Sequence, residues 1–125
     1  MEQSLAIQQQ IGDRKGEGVT LNNIAGTAHA KGDYDSALRY LEQSLAIQRQ
    51  IGDIHNMTTT LHNMGSIPFE RNDFEGAAYY FIQAHQISHQ IGSPIEKVVE
   101  EYLSAIINRI GEAKFQEILS QLNQE

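Results

Sequence analysis

The sequence predicts an all-α protein, a right-handed α-solenoid of antiparallel helix pairs with roughly seven helices. Two observations lead to this prediction: a repeated segment and a helical spacing of apolar residues. The segment EQSLAIQQQIGD at 2–13 returns forty residues later as EQSLAIQRQIGD at 42–53, with one substitution. Leu21 and Leu61 match at the same offset, as do Ala37 and Ala77. A weaker third copy follows, so the chain is a repeat protein.

Apolar residues within each period recur at the spacing of an α-helix. Leu21, Ile24, Ala25 and Ala28 share one face of a helix. The following helix is apolar on two sides, and stacked hairpins would bury both, because each second helix then lies between two first helices. The predicted helices span 2–12, 14–31, 34–51, 54–71, 74–91, 94–110 and 112–123.

We expect residues 1–125 to form a single domain. Residues 1–13 are interpreted as the second helix of a truncated repeat, 14–53 and 54–93 as two repeats, and 94–125 as a divergent repeat with a C-terminal cap. About three repeats are usual for stability, so we expect a fragment of a longer array. The unpaired first helix would leave Leu5 and its apolar neighbours exposed, which offers an alternative function: self-association as a homodimer through the N-terminal end.

Composition excludes several classes of function. The net charge is -7, with 9 Lys and Arg against 16 Asp and Glu, and no basic cluster that nucleic acid would require. The sequence has neither an export leader nor an apolar run of about 18 residues, so we expect a cytoplasmic protein that does not bind membranes. It contains no Cys and no recognisable catalytic triad or phosphate loop, so we do not expect an enzyme.

Two sets of residues carry a family resemblance. The first is Leu21, Ile24, Ala25, Ala28, Gly32, Asp33, Tyr34, Ala37, Leu41, Ser44 and Leu45; the second is Leu61, Met64, Gly65, Asn72, Asp73, Phe74, Ala77, Phe81 and Ala84. They resemble the tetratricopeptide repeat signature, in a 40-residue variant similar to kinesin light chains, Leu-Gly-Asn repeat adaptors and bacterial signalling arrays. The resemblance implies a non-catalytic scaffold in a larger signalling or adaptor protein, with a protein or peptide ligand in a concave groove.

The resemblance also implies which residues line that groove, along the first helix of each pair. They are Val19, Asn22, Asn23, Gly26, His29, Ala30, Thr59, His62, Asn63, Ser66, Phe69, Glu70, Glu101, Ser104, Ala105 and Asn108. Asn suits an extended peptide because its amide both donates and accepts hydrogen bonds, although Asn22 and Asn23 could simply be solvated. The absence of Lys and Arg from these positions argues against the carboxylate clamp of related chaperone adaptors.

Two local features remain. Pro68 lies where Ala28 lies in the previous copy, and it is expected to kink its helix or end it a turn early; alternatively, the kink turns Phe69 toward the groove. His85 and His89 have a spacing that can chelate a metal, with Ser93 and Glu96 or Glu100 as supplements. His85 occupies the position of Leu45, which favours a packed interior imidazole. We therefore predict no metal and no cofactor.

Overall fold

In the computed structural model, which describes residues 13–124, the chain is helical apart from short turns. These residues form six helices and no strand: α1 Arg14–Ala30, α2 Tyr34–Ile51, α3 Ile54–Glu70, α4 Phe74–Ile91, α5 Ile95–Ile110 and α6 Glu112–Asn123. Every bound agrees with the predicted one to within one residue, and the all-α class is confirmed. The seventh predicted helix, 2–12, and the homodimer surface predicted on it lie outside the described residues.

Aspartate residues begin three of the helices. The side chains of Asp13, Asp33 and Asp73 accept hydrogen bonds from the backbone N–H groups of Gly16, Ser36 and Gly76, respectively. Each bond pairs one of the N–H groups that the first turn of a helix leaves without a partner. The Asp before each of these three helices therefore specifies where that helix begins.

The chain divides into two compact units, Met1–Thr60 and Leu61–Glu125, with the boundary inside α3. In the first unit, α1 packs against α2. The apolar core of this unit consists of Leu21, Ala25, Ala37, Leu41, Leu45 and Ile47. Polar side chains are buried beside it, namely Ser44, Gln48 and Thr60, each with 0% exposure.

In the second unit, α4 packs against both α5 and α6. The buried apolar residues are Leu61, Met64, Ile67, Ala77, Ala78, Phe81, Ile82, Ala84, Val99, Ile106, Phe115 and Ile118. The hydroxyl of Tyr79 on α4 also donates a hydrogen bond of 2.6 Å to Oε1 of Gln121 on α6. Helix α6 packs against α4 and α5, and its Phe115 and Ile118 are buried.

Pro68 does not end α3 early. The helix continues to Glu70 and is 17 residues long, the same length as α1. Proline removes a single helical hydrogen bond, the one that its missing N–H would have donated to Met64. The carbonyl of Pro68 still accepts from the N–H groups of Arg71 at 3.1 Å and Asp73 at 2.8 Å. Because Pro68 lies in the last turns, one lost bond does not stop the helix.

Candidate peptide-binding site

Asn22 belongs to a closed ring of four hydrogen-bonded side chains inside the first unit. Its amide Nδ2 donates to Ser44 Oγ at 2.6 Å and to Thr60 Oγ1 at 2.8 Å. Gln48 closes the ring, because its Nε2 donates to Ser44 Oγ at 3.1 Å and its Oε1 accepts from Thr60 Oγ1 at 2.7 Å. Ser44 in turn donates to the carbonyl of Gly18 at 2.7 Å. Both N–H groups of Asn22 therefore have partners within the protein.

The other predicted groove residues of the first unit are more accessible. Asn23, Gly26 and Thr59 are exposed, and an added Cβ at Gly26 would meet nothing within 4 Å. His29 is half-buried, with its ring centroid 5.7 Å from that of Tyr34. Asn23 thus lies on an open helix surface.

The second unit contains an open pocket of about 320 Å³ between α3 and α5. Its lining residues are Phe69, Val98, Glu101, Tyr102 and Ala105. Four of the five are apolar or aromatic, and Val98 is 43% exposed. The volume lies at the lower end of the range for ligand pockets, about 300–1,000 Å³, and is large enough for one amino-acid side chain.

An aromatic cluster supports the floor of this pocket. The rings of Phe81 and Tyr102 are stacked, with centroids 4.6 Å apart and an angle of 10° between their planes. The ring of Phe69 meets Tyr102 edge-on at 4.9 Å, and Phe74 edge-on at 5.3 Å. Such arrangements are favourable beyond the burial of their area, by about 0.5–1.5 kcal/mol per pair. Phe69 and Tyr102 are therefore held in fixed orientations in the pocket wall.

His62 lies against the same cluster. Its ring contacts Phe81 and Tyr102 edge-on, with centroids 5.8 and 5.6 Å apart. Its Nδ1 lies 3.5 Å from Oδ1 of Asn63, whereas its Nε2 is buried and has no hydrogen-bond partner among the described residues. His62 is thus packed among aromatic rings and is less accessible than the predicted groove required.

The remaining predicted residues are distributed around α3 and α5. Asn63 and Ser66 are half-buried, and Ser66 Oγ donates to the carbonyl of Asn63 at 2.9 Å. Glu70, Ser104 and Asn108 are exposed. Of the sixteen predicted residues, Phe69, Glu101 and Ala105 line the pocket.

Val98 and Tyr102 were missed by the sequence reasoning. The two-residue insertion near Pro94 shifts α5 out of the forty-residue register, and the predicted groove positions on α5 were Glu101, Ser104, Ala105 and Asn108. The available signal was the spacing of Val98, Tyr102 and Ala105, which is i, i+4 and i+7 and places an apolar stripe beside the core stripe of the same helix.

The fold is that of a helical-repeat protein, and the comparisons with known proteins identify its family. The family model for the tetratricopeptide repeat matches residues 1–50 and 19–90. The chain belongs to the tetratricopeptide repeat family, whose members are non-enzymatic scaffolds that generally mediate protein–protein interactions. The search of curated proteins gave no match. Within residues 13–124, no helix is both long and apolar enough to cross a membrane.

Proposed function

We propose that this chain is a non-catalytic scaffold that binds an extended peptide, one apolar side chain of which enters the pocket formed by Phe69, Val98, Tyr102 and Ala105. The pocket carries the proposal, because it holds exposed apolar surface beside rigid aromatic rings. A bound Leu, Ile or Phe side chain would remove that surface from water, at about 25 cal/mol per Å² of apolar area.

The charge around the pocket favours a peptide that has a basic residue next to the side chain that enters the pocket. Glu101 lies in the pocket lining and forms no ion pair with any described residue. The chain as a whole carries a net charge of -7. A Lys or Arg beside the apolar anchor would therefore be attracted to Glu101, and an acidic residue there would be repelled.

Asn23 and Asn63 are the residues that we propose for contacts to the peptide backbone. An amide can donate to a backbone C=O and accept from a backbone N–H, so it suits an extended strand. Asn22 is assigned to the interior, because its amide N–H groups already serve the ring with Ser44 and Thr60. We further propose that the scaffold belongs to a larger cytoplasmic signalling or adaptor protein, as in the similar repeat arrays.

Peptide selection followed by a matched pair of variants tests this proposal. Peptides selected from a random phage library would be measured by fluorescence polarisation against the wild-type chain and against Val98→Asp and Ile51→Asp. Both positions are exposed to a similar extent, 43% and 42%, so neither change should disturb folding. We expect Val98→Asp to weaken binding at least tenfold, about 1.4 kcal/mol, and Ile51→Asp to leave it unchanged.

Two outcomes would count against the proposal. Failure to select any peptide with saturable affinity would reject the scaffold function itself. Equal affinity of Val98→Asp and the wild-type chain would reject the pocket as the anchor site, since a charged side chain at its rim cannot leave an apolar contact intact.

A further inference from the structure

Two helices of the second unit place metal-ligating side chains opposite each other. His85 and His89 lie one turn apart on α4, and Glu96 and Glu100 lie one turn apart on α5. His85 Nε2 is 3.3 Å from Glu100 Oε2 and 3.8 Å from Glu96 Oε2. The donor atoms of these three residues all lie within 4.8 Å of one another.

His85 differs from its sequence-based interpretation. It occupies the position of Leu45 and was expected to be an interior imidazole, but its side chain is 33% exposed and faces the two carboxylates. The reason is the geometry of the second unit, in which α5 presents Glu96 and Glu100 beside α4. The side chain of Glu96 is also only 25% exposed, so His85 and Glu96 are both partly shielded from solvent.

The distances suit a zinc-like ion. Zinc binds imidazole nitrogen and carboxylate oxygen at about 2.0–2.2 Å, so the donors of a tetrahedral site lie about 3.3 Å apart. The two His85 distances, 3.3 and 3.8 Å, are close to this separation without any change of the helices. Two carboxylates would also neutralise a dication. Among the described residues, only the two histidines lie within ion-pair distance of Glu96 and Glu100, so no Lys or Arg competes for these carboxylates.

His89 is placed to orient one of the ligands. Its Nδ1 lies 2.6 Å from Glu96 Oε2, and its ring stacks on that of His85 with centroids 6.2 Å apart. A hydrogen bond from outside the ligand set to a coordinating carboxylate fixes its orientation, and losing such a bond typically lowers metal affinity by about 10–100-fold.

We propose that His85, Glu96 and Glu100 bind a divalent transition metal of the zinc class, with His89 as a positioning residue and water in the fourth position. The ion would join α4 to α5. This site is independent of the peptide pocket, since the two share no residue.

Calorimetric titration of the tag-free chain with Zn²⁺ tests the site. We expect one ion per chain and a rise in melting temperature. His85→Ala and Glu100→Gln should each lower the affinity at least tenfold, and His89→Ala about 10–100-fold. Co²⁺ should give the visible absorption of a tetrahedral complex, and His85→Ala should lose it.

The control is His55→Ala, which removes an exposed histidine of α3 in the first unit. It should bind Zn²⁺ as the wild-type chain does. Glu100→Gln keeps the shape of an exposed side chain, so a loss of affinity in this variant cannot be attributed to misfolding. Absence of one-to-one binding by the wild-type chain, or an equal loss in His55→Ala and His85→Ala, would overturn the proposal.

Discussion

Gly65 lies so close to the ring of Phe81 that no side chain fits between them. A Cβ built on Gly65 would be 2.9–3.0 Å from three carbons of that ring. The equivalent pair in the previous copy is Ala25 with Leu41, so a larger residue on one helix is accompanied by a smaller one on the other. Conservation of volume across the helix contact explains why this glycine is tolerated inside a helix.

Gly65→Ala should therefore destabilise the chain. Overpacking costs about 1–3 kcal/mol and the better helix propensity of Ala returns about 1, so the free energy of unfolding should fall by up to about 2 kcal/mol. Gly26→Ala, where the new Cβ meets nothing, should raise it by about 0.5–1 kcal/mol. Urea unfolding measures both. Equal effects of the two substitutions would show that the ring of Phe81 does not limit position 65.

The carboxyl of Asp33 offers a second test at the scale of single residues. Hydrogen bonds from the side chain and the backbone N–H of Ser36 hold its pKa below the ordinary value of 3.8. A lowered pKa in the folded state means that ionised Asp33 stabilises the fold above pH 3.8, and that this contribution is lost as the pH falls through the folded-state value.

Ser36→Ala should raise the pKa of Asp33 toward 3.8, because the larger of the two hydrogen-bonding contributions is removed while the backbone N–H remains. Side-chain carboxyl NMR during an acid titration reports the value directly. Ser104→Ala, which changes an exposed serine of the other unit, is the control and should leave the titration of Asp33 unchanged. An unaltered pKa in Ser36→Ala would contradict the assignment of the cause.

At the scale of elements, the turn between α5 and α6 depends on one backbone conformation. Gly111 has φ 90° and ψ 154°, a region that essentially only glycine adopts. It accepts from the N–H of Phe115 at 3.1 Å and donates to the carbonyl of Ile107 at 2.8 Å, so one residue connects both helices. The direction in which α6 leaves α5 follows from this conformation.

Gly111→Ala should cost about 1–3 kcal/mol of unfolding free energy, the usual cost of a sparsely populated backbone region. Because α6 carries Phe115 and Ile118 into the core of the second unit, the loss should appear as faster amide hydrogen exchange in α6. Gly26→Ala serves again as the reference for a glycine without positive φ. Retention of the wild-type stability and exchange rates by Gly111→Ala would refute this account of the turn.

Helix bounds were highly predictable from the sequence. Local signals specify them: an Asp before the first turn, a Gly or Asn after the last one, and apolar residues at helical spacing between. Pro68 shows the limit of such signals, since its residue type predicted a kink or an early end of α3, and the helix nevertheless continues to Glu70. Whether a proline breaks a helix depends on how many bonds remain to be made beyond it.

At the scale of the whole molecule, the site was less predictable than the fold. Phe69 was predicted to reach a ligand surface and it lines the pocket, but Val98 and Tyr102 were not recognised. Pocket shape depends on which side chains of α3 and α5 meet, and the two-residue insertion before α5 changes that pairing. The repeat signature also gives the same expectation for Asn22 and Asn23, although Asn23 is exposed and Asn22 is not. Asn22 differs because its hydrogen-bond partners, Ser44 and Thr60, come from other helices.

The ring around Asn22 has a counterpart with entirely different chemistry. Positions 22, 44 and 48 correspond at the forty-residue offset to His62, Ala84 and Ser88, and Thr60 corresponds to Tyr102 after the insertion. Where Asn22 donates to Ser44 and Thr60, His62 packs on Tyr102. Ala84 offers no acceptor at the position of Ser44, which accounts for the buried Nε2 of His62 that has no partner among the described residues.

This difference bears on how the chain avoids misassembly during folding. A protein that contains one twelve-residue segment twice risks pairing a helix of one copy with the wrong helix of the other. Placing Asn22 among the rings of Phe81 and Tyr102 would bury an amide without partners, and placing His62 beside Ser44 would force an imidazole into the space of a smaller side chain. Positions 22 and 62, at which the copies differ, thus each favour the helices of their own copy.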